Sequence, residues 1–597
     1  MNRQHARLTL SLSCTCALVV LVFAGSLTHA ATIDELFDTF TAEWVRGNPD
    51  LATSLRYFSG EEQDRLERQV TPRTRAYRNE RIALARRGLS ELGKFDRSTL
   101  SETQRVSAGL MQWQLEAIVR GESYLDYTFP LEQFRGDNVD LVETLTLRHP
   151  LVTPKDADNY LARLSLVDDR MNEAIEEARR LAEAKMIPPR FIIDATLQQM
   201  KTFSEPAADQ NPIVTVFAEK TSAIDGLKPE ARERLRQRAV TLIDKEVYPA
   251  WQRAIALLES IATRATDDAG LWRLPGGEAA YAYALELFTT TKLTPEQIHE
   301  IGLKQVAQIE SEMDGILRRL GRTEGSVQDR MRKLEDDLRY PDPTSEASRK
   351  QIMDDIDALM KDAIERSVPM FARMPKTPVI AQPFPRFREA SAAANYNRAP
   401  FDNSRPAIFQ MPLRPQRMTK LGLRTLVYHE TVPGHHFQIA LEQENPNLPR
   451  FRQARALGGI SAMSEGWALY AEKLAAESGW YEGDPEGLLG QLNAELWRAR
   501  RLVVDTGLHA KKWTRQQGID YGIEASEVDR YVVLPGQACS YMIGQLRLLE
   551  IRDRARRTLG NKFSLRDFHD VVLSTGTTPL NLLEQEVERY LRRKVTE

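Results

Sequence analysis

Apolar residues recur three and four positions apart along most of this chain, the spacing of helices that bury one face. Between positions 155 and 186, Leu161, Leu164, Leu166, Met171 and Ala174 alternate with acidic and basic residues, which predicts one amphipathic helix or a hairpin of two. Thr294-Pro295-Glu296-Gln297 is a capping box with proline at the first helical position. A helix is therefore predicted from there to about Leu320, with Gly321 as its stop. Similar periodicity covers about 72–93, 100–120, 230–262, 343–368, 486–512, 537–557 and 578–593. No repeat of fixed period and no long low-complexity tract interrupts it. The expected fold class is mainly α.

One region departs from this pattern. Nine of the thirty prolines fall between Pro369 and Pro415, a density that excludes continuous helix. Ala407-Ile408-Phe409-Gln410-Met411 reads as a short extended piece, in a small sheet or at an edge. The region is too long for a plain linker, and is expected either to wall a cleft or to connect domains.

The N-terminus predicts a different fate for about thirty residues. Arg3 and Arg7 precede an apolar run from Leu8 to Ala24, and small residues follow at Ala30-Ala31. This is the layout of a secretory signal peptide over 1–30, with an uncleaved anchor as the alternative. The expected destination is the periplasm or the medium, with no membrane span after cleavage. Cys539 is then the only cysteine left, so no internal disulfide is available and a large core must carry stability. Residues 31–597 are read as one large helical domain. The formal net charge of −3 leaves no basic footprint for nucleic acid.

Candidate chemistry concentrates at 428–438, Tyr-His-Glu-Thr-Val-Pro-Gly-His-His-Phe-Gln, which holds three of the nine histidines. Histidine, glutamate and a later histidine outline a zinc hydrolase, in which the imidazoles hold the metal and the glutamate handles water's proton. The spacing is unusual, because a common form of the motif has its second histidine four residues on. On a straight helix, a residue six positions on is displaced by about 120°, and one seven positions on lies about 10 Å higher. Proline deletes a helical hydrogen bond and glycine tolerates unusual dihedrals. Pro433-Gly434 therefore predicts a distorted turn that returns His435 to the metal face, and His436 is the alternative if the helix is undistorted.

Four segments together resemble a known family: His429–Gln438, Ser464–Glu472, Asp505–His509 and Pro535–Gly544. They are similar to the large bacterial family called domain of unknown function 885, itself similar to helical zinc metallopeptidases of the gluzincin type. The resemblance is strong over about 395–560, the expected core of the zinc site. It implies one Zn2+ per chain on His429, His435 and Glu465, with Glu430 as general base. Glu472, two turns beyond Glu465, is either a partner behind the ligands or solvated. Asp505 and His509, four apart on an expected helix, would form a pair in which His509 donates to an oxyanion. Tyr541 is a second candidate donor. Arg498, Arg500 and Arg501 are either a group that binds a substrate carboxylate or a basic helix face.

The expected function is a periplasmic or secreted zinc metallopeptidase acting on a peptide or peptide-like substrate. The alternatives are a zinc amidohydrolase acting on a non-peptide amide or cell-wall fragment, and a non-catalytic metal-binding protein. A serine-hydrolase reading rests only on Gly459-Ile460-Ser461-Ala462-Met463, which lacks the last glycine of a nucleophile elbow.

Overall fold

A computed structural model describes residues 32–596 apart from 342–344, 385, 390–392, 402–404 and 415–417. The expected signal peptide lies outside the described residues. The fold is mainly α, with one three-stranded sheet. The segment at 155–186 is two helices, Pro154–Leu164 and Val167–Glu183, the first opened by a Thr153–Asp156 capping box. Their apolar faces meet Trp251, Leu258 and Ile261 of the helix Tyr248–Ala262, forming a core of their own between residues 70 and 262.

Six helices position the site. Helix α1 (Pro295–Arg319) starts at the predicted capping box, where the Thr294 side chain accepts from the Gln297 N–H and Gln297 accepts from the Thr294 N–H. Helix α2 (Lys420–Glu430) ends at the histidine–glutamate pair, and α3 (His435–Glu444) begins after a link of four residues. Helix α4 (Ser461–Glu477) carries Glu465 and Glu472. The long α5 (Pro485–Ala510) packs along α1, where His299 Nδ1 lies 2.8 Å from Thr506 Oγ1. Helix α6 (Ser540–Leu559) crosses α4 at backbone contact, since a Cβ on Gly466 would stand 2.5 Å from the Gly544 carbonyl carbon.

The proline-rich region forms the sheet: β1 (Val379–Pro383), β2 (Asn395–Asn397) and β3 (Ala407–Met411). β3 is the central strand, parallel to β1 and antiparallel to β2, with Phe409 opposite both Ala381 and Tyr396. Ala407, Phe409 and Met411 alternate inward. Phe409 and Met411 join a core that also holds Phe37 and Trp44 from the N-terminal helix, Val427 and Tyr428 from α2, and Trp467 and Tyr470 from α4.

Candidate metal centre

The predicted distortion between His429 and His435 is a complete break. α2 stops at Glu430, and residues 431–434 form an irregular link containing a cis Val432–Pro433 bond. Gly434 is required there by close approach, because a Cβ would lie 2.0 Å from the His429 carbonyl oxygen. The link is tied down from α4, whose Trp467 Nε1 donates to the Pro433 carbonyl at 2.9 Å. With the helix interrupted, His435 no longer has to sit six residues along a straight axis.

The two imidazoles meet edge to face, with ring centroids 4.8 Å apart. Glu465 Oε2 lies 3.7 Å from His429 Nε2 and 3.4 Å from His435 Nε2. A tetrahedral cation with bonds near 2.0–2.1 Å sets its ligand atoms about 3.3 Å apart, so these separations suit a metal ion held by all three residues. His429 Nδ1 lies 2.7 Å from Glu472 Oε1. A proton on Nδ1 donated to that carboxylate leaves the Nε2 lone pair for the metal. Sequence left open whether Glu472 is solvated; it is buried at 1 % exposure, with its carboxylate against the His429 ring.

The electrostatics favour a cation. Burial works against charge on His429, but the adjoining carboxylates of Glu465 and Glu472 override it and push its pKa up to about 10. Burial works against ionisation of Glu465, and the two imidazoles reverse that, holding its pKa well below the usual carboxylate range. Glu430 is buried, and its carboxylate forms no hydrogen bond or ion pair with any described residue. It is available for proton transfer next to the ligands.

His436 turns the other way. Its Nδ1 lies 3.2 Å from the Tyr396 hydroxyl on β2, and burial drops its pKa to about 4. The sheet therefore borders the site through this contact, and His435 is the histidine that joins His429 and Glu465.

The expected pair of Asp505 and His509 does not form. His509 Nδ1 accepts from the Leu271 N–H at 3.1 Å, and Nε2 donates to the Tyr531 carbonyl at 3.0 Å. Both ring nitrogens are spent on backbone, so no N–H remains for an oxyanion, and the assignment is corrected to a structural one. Asp505 instead accepts from the Tyr281 hydroxyl at 2.6 Å and from the Gly536 N–H at 3.1 Å. The signal was missing because Leu271 and Tyr531 are far from 509 in sequence.

Tyr541 is half-buried at the start of α6, with the Arg501 guanidinium 4.4 Å above its ring. Arg501 also donates to Glu527 at 3.0 Å. The neighbouring Ser540 Oγ lies 2.7 Å from Ser461 Oγ, one turn before Glu465 on α4. Arg498 Nη2 lies 3.6 Å from Glu472 Oε1, behind the ligand pair, whereas Arg500 pairs outward with Glu310 at 2.9 Å. The basic face of α5 is thus divided, with Arg498 the one of the three that reaches Glu472.

The family model described as "Bacterial protein of unknown function (DUF885)" matches residues 49–587, and the chain belongs to that family. No curated protein matches it. A crystal structure described as a "putative lipoprotein" from Colwellia psychrerythraea is similar over 95% of this chain and 100% of that one, at 31% identity and a TM-score of 0.89. A second "putative lipoprotein of unknown function", from Shewanella oneidensis, shares the fold at 18% identity and a TM-score of 0.67, over 93% and 99% of the two chains.

Proposed function

We propose that this chain is a zinc-dependent metallopeptidase of gluzincin type that works outside the cytoplasm. The observation that carries the reading is the convergence of His429 Nε2, His435 Nε2 and a Glu465 oxygen beside the buried, uncommitted carboxylate of Glu430. Two nitrogens and one carboxylate oxygen suit zinc and leave room for water. Bound zinc would supply Lewis acidity, polarising the scissile carbonyl and making water acidic enough to react near neutral pH.

The chain's own residues do the rest. Glu430 takes the proton of the attacking water and delivers it to the departing amine. Glu472 holds His429 in the tautomer that presents Nε2. Tyr541, fixed under Arg501, is the remaining candidate donor to the oxyanion now that His509 is withdrawn. An extracytoplasmic location is supported by the basic-then-apolar N-terminus and by the description of the Colwellia relative. Among the described residues, no helix is long and apolar enough to cross a membrane.

The test is metal analysis together with a peptide-library cleavage profile of wild type and Glu430→Gln. Stoichiometric zinc in both proteins, with hydrolysis lowered by about 10³-fold or more in the variant, is the expected result. Turnover confined to non-peptide amides would replace the peptidase reading with the amidohydrolase one. Peptide cleavage that survives Glu430→Gln would remove the mechanism altogether.

A further inference from the structure

A cavity of about 990 Å³ lies between the N-terminal helices and the sheet, and its walls are unevenly charged. Arg56, Arg135, Arg148, Lys220, Arg398 and Arg405 line it, against Glu143 as the one carboxylate among the described residues of the wall, and Glu143 is already bound to Arg148 at 3.0 Å. Arg56 is likewise paired, with Asp156 at 3.3 Å. Arg135, Lys220 and Arg398 have no ion pair with any described residue. Lys220 Nζ donates to the Thr146 carbonyl at 2.8 Å, and Arg398 donates to the Gln453 and Ala454 carbonyls at 3.3 and 2.8 Å. These contacts hold the cations in place without neutralising them. Burial lowers the pKa of all three, taking Arg398 down to about 10, a strain that an anion in the cavity would relieve.

The cavity shares two elements with the metal centre, and on β2 it lies on the face opposite Tyr396. Asn395 and Asn397 on its wall flank Tyr396, the residue that meets His436. Gln443, also on the wall, lies eight residues along α3 from His435 and donates to the Ala399 carbonyl at 3.0 Å. Eight helical residues span about 12 Å, which an extended peptide covers in about four residues. Convergent positive charge between low-dielectric walls concentrates anions, and the cavity is open enough to admit a peptide segment carrying acidic side chains.

We propose that this cavity is a specificity subsite for acidic peptides, taking glutamate or aspartate side chains about four or more residues from the bond placed at the metal centre. The placement of the cut rests on the peptidase reading; the binding of acidic peptide does not. The direct experiment is fluorescence anisotropy on the zinc-loaded Glu430→Gln protein, using a fluorescein-labelled peptide with a run of glutamates and an isosteric peptide with glutamines instead. The glutamate peptide is expected to bind about ten-fold tighter or more, as three partly buried charge pairs would allow. The preference should shrink at about 0.5 M salt, where charges are screened within a few ångströms. It should also fall in R135Q/K220Q, with an unchanged melting temperature as the control on folding. Equal affinity for the two peptides in the parent protein, or an undiminished preference in the folded double variant, overturns the proposal. Selective binding with no cleavage by wild type would sink the peptidase reading and leave the subsite standing. Cleavage without acidic preference would do the reverse.

Discussion

Two buried histidine sites sit in this molecule, and they differ in what is left over. Around His509, each polar group has a partner in the fold: Leu271 N–H and Tyr531 carbonyl on the ring, Tyr281 and Gly536 on Asp505. Around His429, the partners run out. Nδ1 is held by Glu472, but both Nε2 atoms face one Glu465 oxygen at distances longer than a good hydrogen bond, and Glu430 is bound to nothing described. Burial and histidine chemistry are common to both. Unfinished valence, converging on one point, is what separates a site from a strut.

The broadest way to press that comparison is acid. Burial lowers the pKa of His149 to about 3 and those of His509 and His569 to about 4, against 6.5 for the ordinary side chain. Between those limits the unfolded chain binds protons that the folded chain refuses. Stability is therefore full above pH 6.5 and is lost as pH falls toward 4, by up to about 3 kcal/mol for each such histidine. Chemical denaturation across that window should show the decline, and a flat profile would mean these histidines are not held neutral.

The next effect is on the metal. Glu472→Ala removes the group that orients His429 and is expected to weaken zinc binding by about ten- to a hundred-fold, read by competition with a chromogenic chelator. Unchanged affinity would reduce Glu472 to packing. The smallest effect sharpens the other side. His509→Gln should cost about 1–3 kcal/mol through two disturbed backbone hydrogen bonds, seen as a lower melting temperature, while zinc affinity stays that of wild type. A loss of zinc from that variant would show that the two sites are not separate.

Local signals were legible in the sequence where the cause is local. The Thr294 capping box, the helix pair at 154–183 and the non-helical proline region all appear where periodicity and proline chemistry place them. Pro433 and Gly434 foretold a disturbed helix because both effects act within one turn, whereas the hydrogen bond that ties the link down comes from Trp467 on another helix. His429, His435 and Glu465 came from motif and resemblance, and the fold does bring them together. The partners of His509 and the central place of β3 were not legible. Each depends on contacts from distant parts of the chain, and a shared helix face says nothing about which side a neighbour will occupy. For the same reason the charge of the 990 Å³ cavity is invisible in a chain whose overall charge is close to neutral.

Helix α4 holds nearly everything the centre needs. It contributes Glu465, steadies the link before His435 through Trp467, aligns His429 through Glu472, and meets α6 backbone to backbone at Gly466. These jobs belong to one rod, so a displacement of the helix disturbs them together. A shift of α4 by an ångström or two would disturb the placement of His435, the position of Glu465 and the alignment of His429 in the same movement. The centre is built to be either assembled or dismantled, which makes this one helix the natural handle for anything, from a bound inhibitor to an engineered clamp, that aims to switch the protein off.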